Sequence, residues 1–353
     1  MREILYMVHR LATFLLRDCP GTTALGLRYT PAMLPKEPCE EKGQPPSNGD
    51  PTIAVVIPVY KGARFIEAAL DSVMGQSLLP SEVIVIDDGS PDESGAIAAS
   101  YGERVRVIRQ QNRGMAGARN AGVRFARSTW IAFLDQDDIC EIDRLKKTRE
   151  AILAAPSAKW VYSDYTLLDA TTQTRTYITT PDPTTFAKEV RYHCHLMPSY
   201  CSIRRDALIE IGGFNEKPDL VGADDHELVL RFMQKHGPSA FAKVPESLCL
   251  YAQHESNYSR RVWDVYRGRI ALLSSQLNGL TGVKRQVWKR MLMARLHFDM
   301  AVMLREQQDE RYFDQAIRSF MQWPFVHRML PVQRYKVLSH MLLTRLKILA
   351  RTP

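Results

Sequence analysis

The sequence predicts an α/β fold with a mostly parallel sheet flanked by helices, followed by a helical C-terminal extension. Three observations carry this expectation. Short apolar runs rich in β-branched residues recur between helical stretches from Ile53 to about Ala155, and strands alternating with helices of that length pair in parallel through right-handed crossovers. Two of the runs end abruptly in carboxylates, at Asp87-Asp88 and at Asp135-Gln136-Asp137-Asp138; ligands of open α/β sheets bind just beyond the carboxyl ends of the strands. From Val262 nearly to the end the apolar spacing is helical, broken at Pro324 and Pro331.

The elements follow in order. Ile4, Val8, Leu11 and Leu15 share one face of a helix over 1–18, and Arg10 interrupts the apolar run, which excludes a spanning helix. No small-residue cleavage site follows, so a signal peptide is poorly matched. Six prolines between Pro31 and Pro51 mark a linker. A first strand covers Ile53 to Ile57 and stops at Pro58; a helix from Ala63 to Met74 closes at Gly75. Val83 to Ile86 is the second strand and Val105 to Ile108 the third, with a helix over about Met115 to Ala126 behind it. Trp130-Ile131-Ala132-Phe133-Leu134 is a short buried strand, and a helix runs from about Asp143 to Ala155. Beyond the strand at Trp160 to Asp164, the threonine-rich residues 166–185 form a hairpin or a surface loop. Pro198 to Ile203 reads as a strand, Gly212-Gly213 as a tight turn, Asp225 to Lys235 as a helix and Leu248 to Ala252 as a last strand. The resulting division is a helix and linker over 1–51, an α/β domain over 52–259 and a basic helical extension over 260–353.

Composition narrows the class. Hydrophobic content of 45% with 24% charged residues is that of an ordinary soluble globular protein, not a disordered or membrane-spanning one. The six cysteines include no CxxC pair, so neither a zinc site nor a disulfide framework is expected, and a reducing compartment fits. The net charge of +8 is unevenly placed: residues 260–353 hold 18 Lys and Arg against 6 Asp and Glu, a net of +12, which leaves −4 for residues 1–259. A basic tail beside an acidic domain points to an anionic surface as the tail's partner and not to nucleic acid; a solvated helical face is the plainer alternative.

The carboxylates Asp135, Asp137 and Asp138 have two readings. Clustered at a strand end, they repel one another unless a cation sits among them, and hard divalent ions prefer such oxygen ligands. Alternatively, they cap the following helix. A further acidic pair, Asp224-Asp225, opens the predicted helix at 225.

These motifs in this order resemble a known family. Val55-Val56-Ile57-Pro58-Val59-Tyr60, Val-Ile-Asp-Asp-Gly-Ser at 85–90, Asn112-Arg113-Gly114 with Ala118-Arg119-Asn120, Phe-Leu-Asp-Gln-Asp-Asp at 133–138, and Gly212-Gly213-Phe214 followed by Asp224-Asp225-His226-Glu227-Leu228 are similar to the family 2 glycosyltransferases, whose fold is the Rossmann-like GT-A type. The resemblance covers about residues 52–258. It implies that Pro58, Tyr60 and Asp88 border the nucleotide base, with Asp88 accepting a hydrogen bond from it. Asp135 and Asp137 resemble the DxD motif, which implies Asp137 as a direct ligand of a divalent cation (Mn²⁺ or Mg²⁺) and Asp135 as a ribose or metal-side contact. Asp225 falls at the family's general base, where the usual Glu-Asp pair is here Asp224-Asp225. Gln253-His254 resembles a segment that supplies a histidine to metal or diphosphate. Arg119 is a candidate for orienting the nucleotide; a helix-surface arginine paired with a carboxylate is the plainer expectation.

The activity so implied is inverting transfer of a sugar from a nucleoside-diphosphate donor to a hydroxyl of a glycan, lipid-linked or protein acceptor, in the synthesis of cell-surface glycan or polysaccharide. The expected setting is the cytoplasm, with peripheral contact at the inner face of the membrane through the basic helices. Two rivals stand beside it: a non-catalytic nucleotide-sugar or carbohydrate-binding module of the same fold, and a glycoside hydrolase using two carboxylates. The parallel sheet of nucleotide-binding type disfavours the hydrolase.

Overall fold

The computed structural model describes residues 50–183, 194, 196–255, 257, 261–277, 281–324 and 339–340. The helix expected at 1–18, the linker except for Asp50 and Pro51, the break at Pro331 and the end of the basic tail lie outside them. The described chain divides into two compact units, one ending at Pro218 and resuming over Asp224–Asn257, the other made of Asp219–Ala223 and the residues beyond Asn257.

In the first unit, strand β1 (Ile53–Val59) is buried along its whole length. It pairs in parallel with β2 (Glu82–Asp87) and β4 (Trp130–Phe133), and β3 (Arg106–Arg109) pairs in parallel with β2. Contrary to expectation, β1 runs through Pro58. Val59 accepts from the Asp88 N–H on the β2 side, so the amide that Pro58 lacks would point toward β4. The pairing with β4 has already ended there, at Val56 and Phe133. Proline is tolerated where its side of the ladder is open.

The rest of the sheet is mixed. Strand β8 (Cys201–Arg204) lies antiparallel to β4 and to β6 (Trp160–Asp169), and β9 (Phe241–Gln253) runs parallel to β6. The order is β3-β2-β1-β4-β8-β6-β9-β5, with the short strand β5 (Ile139–Cys140) antiparallel to β9 and β7 (Arg175–Ile178) antiparallel to β6. Strands β1, β2, β3, β4, β6 and β9 therefore share one direction, which gives the mostly parallel sheet. Its carboxyl edge gathers the ends of β1, β2, β4, β6 and β9. The threonine-rich stretch resolves into the β6–β7 hairpin, whose turn closes with Asp169 N–H on Thr174 O.

Alternation along the strands explains why both faces are covered. Ala54, Val56, Ile84 and Ile86 join one core with helices α3 (Gly114–Phe125) and α6 (Asp224–His236), while Val55, Ile57, Val83 and Val85 join another with α1 (Ile66–Met74) and α4 (Arg144–Ala154). Helix α3 lies so close to β1 that a Cβ on Gly122 would sit 2.2 Å from Val56 Cγ1. The helices α2 (Ser94–Ala99) and α5 (Arg205–Glu210) and the strand β5 carry too few residues for periodicity to reveal. Gly212 and Gly213 make the expected tight turn, at φ of 85° and 70°.

The second unit is helical: α7 (Val262–Gln276), α8 (Gly282–Glu306) and α9 (Tyr312–Gln322). Helix α9 ends at Gln322, just before the break expected at Pro324, and further breaks fall near Leu277 and Gln308, where Gln308 takes a left-handed φ of 58°. Helix α8 packs against α9 through Ala301 and Ala316, and against α7 through Val262, Met300 and Leu304. No helix among the described residues is long and apolar enough to cross a membrane.

Candidate active site

Strand β2 ends at Asp87 and Asp88 follows it, both buried. Asp88 accepts hydrogen bonds from Gln110 Nε2 (2.7 Å) and Arg113 N (2.8 Å) on one oxygen and from Gly114 N (2.8 Å) on the other. Two of those donors are orphan amides at the start of α3, so Asp88 caps and anchors that helix. Gly89, at φ 74°, lets the chain turn against Asn112, where a Cβ would meet the backbone nitrogen at 3.2 Å. Pro58 is buried beside this turn, and Tyr60 is 43% exposed just after β1.

Helix α3 delivers Arg119, and here the structure corrects the sequence. Arg119 is no surface arginine: it is 5% exposed and bridges two carboxylates, with Nη2 2.7 Å from Asp135 Oδ1 and Nη1 3.4 Å from Asp224 Oδ2. Its guanidinium also lies over the Phe214 ring, 5.4 Å from the centroid. Burial alone would depress its pKa; Asp135 and Asp224 outweigh this, and the pKa is raised. The shortened Asp224 thus takes the bridging position to the end of β4. Neighbouring Asn120 clamps the Phe214 backbone in both directions, at 2.9 and 2.8 Å, and Arg113 pairs with Glu216 at 2.7 Å. Arg231 and buried Glu227 form a two-pronged ion pair, and Arg231 also donates to the carbonyl of Gly213. The Gly212-Gly213-Phe214 turn is held from both helices.

Beyond β4 the chain does not cap the next helix. Strand β5 intervenes before α4 begins at Arg144, which removes the capping reading of Asp135, Asp137 and Asp138. Asp137 Oδ2 lies 2.9 Å from His254 Nε2 and 3.3 Å from Asn257 Nδ2. The His254 ring stacks on Phe65 with centroids 4.5 Å apart and planes 20° from parallel. Asp138 is fully buried and accepts from Ala252 N at 3.0 Å. Burial and the charge of Asp135 raise the Asp137 pKa; burial and both neighbouring aspartates push Asp138 well above the usual carboxylate range. The Asp135 amide donates to Ser199 Oγ (3.0 Å), just before β8. Under the turn, buried Arg144 donates to the carbonyl of Phe133 (2.7 Å) and toward Cys140 Sγ (3.1 Å).

Asp225, half-buried in the first turn of α6, borders a small apolar cavity with Phe133, Trp160, Phe214 and Leu228. Its charge is felt by Arg119. The structure therefore joins Asp135, Arg119 and Asp224 directly, sets Asp225 beside them, and pairs Asp137 with His254. Asn257, Phe65, Ser199 and Arg144 were not anticipated; of these only Asn257 lies close to an expected site residue, three positions after His254. Among the described residues no three His, Cys, Asp or Glu side chains converge as a metal set.

Residues 54–212 match the model of glycosyl transferase family 2. That segment, just under half of the chain, is what is similar to the family 2 glycosyltransferases. The succinoglycan biosynthesis protein ExoO of Rhizobium meliloti is 42% identical over 107 residues, which cover 30% of this chain and 31% of that protein. The chain spans about a quarter of the length of the first curated relatives it matches. Among solved structures, S. aureus TarS 1-349 in complex with UDP-GlcNAc superposes with a TM-score of 0.54 at 16% identity, over 77% of this chain and 81% of that one. The mannosyltransferase PcManGT from Pyrobaculum calidifontis, in complex with GDP-Man and Mn²⁺, gives 0.52 at 17% identity over 99% and 88%. At these identities the likeness establishes the fold alone, which is of the GT-A type.

Proposed function

We propose that the chain is a metal-dependent inverting glycosyltransferase, moving a sugar from a nucleoside-diphosphate donor to an acceptor hydroxyl in the synthesis of a cell-surface glycan or polysaccharide. The observation that carries this is the carboxyl edge of the sheet, where an Asp137–His254 pair and an Asp135–Arg119–Asp224 bridge stand beside Asp225. The complexes of TarS with UDP-GlcNAc and of PcManGT with GDP-Man and Mn²⁺, and the naming of ExoO for succinoglycan synthesis, support the donor class, the cation and the setting.

The donor set fits a divalent cation. Asp137 and His254 offer an oxygen and an imidazole nitrogen 2.9 Å apart, and the raised Asp137 pKa marks a carboxylate whose charge the protein leaves poorly compensated. Mn²⁺ or Mg²⁺ held by one or two side chains commonly completes its shell with substrate phosphates and water. When bound, the ion offsets the negative charge that grows on the departing nucleoside diphosphate. Pro58 and Tyr60 border the base. Asp88 contributes mainly by fixing helix α3, with one acceptor lone pair left for the base. Asp135, held by Arg119, faces the ribose side. Asp225 accepts the proton of the attacking hydroxyl on the face opposite the leaving group, which inverts the anomeric centre.

A panel of nucleotide sugars, assayed for released nucleoside diphosphate with and without Mn²⁺, tests the reading. Metal-dependent release enhanced by an acceptor is expected. Binding without release would favour the non-catalytic module, and release of sugar from a glycan without any nucleotide would favour the hydrolase.

A further inference from the structure

We propose that Gln136, the middle residue of the acidic turn, is a positioning residue that locks the two halves of the donor pocket together; the inference rests on the function proposed above. The β1–α1 loop, Tyr60 to Phe65, carries the base-side Tyr60 and the Phe65 ring that stacks on His254. Four consecutive amides of this loop are satisfied by side chains from elsewhere. Lys61 N donates to Ser90 Oγ (3.3 Å), Gly62 N to Ser94 Oγ (2.8 Å) and Ala63 N to Asp92 Oδ2 (3.2 Å), all on the segment after β2. The fourth, Tyr60 N, donates to Gln136 Oε1 at 2.9 Å, and Gln136 Nε2 returns a bond to Tyr60 O at 3.3 Å.

Gln136 is thus the side chain by which the acidic turn grips this loop, through both backbone groups of one residue. The fit is close. A Cβ on Gly62 would fall 2.3 Å from Gln136 Oε1, so the glycine leaves room for the amide. Lys61 holds a left-handed φ of 53°, a conformation a non-glycine residue keeps only when its surroundings enforce it. Asp135 and Asp137 flank Gln136 in sequence, one tied to Arg119 and the other to His254. Fixing the amide to Tyr60 therefore fixes the spacing between the base-side loop and the metal-side carboxylates. A nucleoside diphosphate must span that distance. A clamp of this kind lowers the ordering cost of binding without touching the ligand.

The test is a double-mutant cycle on the full chain. UDP and GDP, each with Mn²⁺, are titrated by calorimetry against the wild type, Gln136→Ala, Tyr60→Ala and the pair. Gln136→Met, which keeps the volume and loses both bonds, guards against a folding artefact. Both Gln136 variants should weaken nucleotide binding about ten-fold, a difference of about 1.4 kcal/mol, with thermal midpoints near that of the wild type. Tyr60→Ala keeps the backbone groups that Gln136 grips and removes only the base-side ring, so if the clamp acts by placing that ring, the Gln136 change should add little in this background. Fully additive losses, unchanged binding in both Gln136 variants, or weakening that tracks a fall in thermal midpoint would overturn the inference while leaving the proposed function intact. A wild type that binds neither nucleotide overturns both.

Discussion

Arg119→Ala removes a cation that the structure places between Asp135 and Asp224. The arginine side chain is 6% exposed, and the two carboxylates 20% and 13%, so solvent screens neither contact well. Removing one partner of a buried ion pair typically costs about 3–5 kcal/mol, because the stranded charge keeps its desolvation penalty. Here two carboxylates lose their ion pair with Arg119, and the ring contact with Phe214 is lost as well. Against a domain stability of about 5–15 kcal/mol, the variant should be marginal. With a urea m-value of about 2–3 kcal/mol/M, the denaturation midpoint should fall by about 1–2 M at constant m. Arg119→Lys should fall by less, since an ammonium keeps the charge but cannot reach both carboxylates as a fork. The decisive variant is the double Arg119→Ala, Asp224→Ala. If stranded charge is the cause, deleting one carboxylate restores part of the lost stability. A single variant within 1 kcal/mol of the wild type, or a double variant less stable than the single, would refute the reasoning.

Four other outcomes are expected. Asp137→Ala should abolish transfer and weaken Mn²⁺-dependent nucleotide binding; wild-type activity undiminished in excess EDTA counts against the metal assignment. Asp225→Asn should lower kcat by about 10²–10⁴-fold with donor affinity little changed, and donor binding lost in step with turnover would move Asp225 into the nucleotide site. His297, buried in the helical extension and 2.8 Å from Gln315 Oε1, has a pKa depressed below 6.5 by burial. The unfolded chain therefore binds a proton that the folded one refuses. Stability of this unit is complete above pH 6.5 and declines as pH falls through the lowered folded value; melts of His297→Leu should lose that slope. Lys289 and Arg290 are exposed on α8, whereas Arg267, Arg295 and Arg311 pair with Asp264, Asp299 and Asp309. If the extension contacts an anionic leaflet, the full chain should pellet with anionic liposomes at low salt and not at high salt, and Lys289→Glu with Arg290→Glu should reduce pelleting.

The sequence by itself determined the αβ alternation, the buried strands and the carboxylates at their ends. These rest on local periodicity and on residue types whose burial preference does not depend on partners. It also placed Asp135, Asp137, Asp225 and His254 as candidates, through motifs in a fixed order. The strand that became β8 and the hairpin that became β6 and β7 were legible, but the short strand β5 and the antiparallel place of β8 between β4 and β6 were beyond it, because pairing depends on which distant strand supplies the open edge. Pro58 shows the same limit: it ends a strand by propensity and continues one where the neighbouring ladder has stopped. Arg119 looked like a surface residue because α3 has only a modest apolar stripe. Only packing against Phe214 and the approach of α6 buried it and made it the link between Asp135 and Asp224. Tertiary structure likewise turned Asp88 into a helix anchor and Gln136 into a clamp. Both roles rest on hydrogen bonds with backbone groups far away in sequence, and a backbone donor or acceptor leaves no mark in the identity of the residue that carries it.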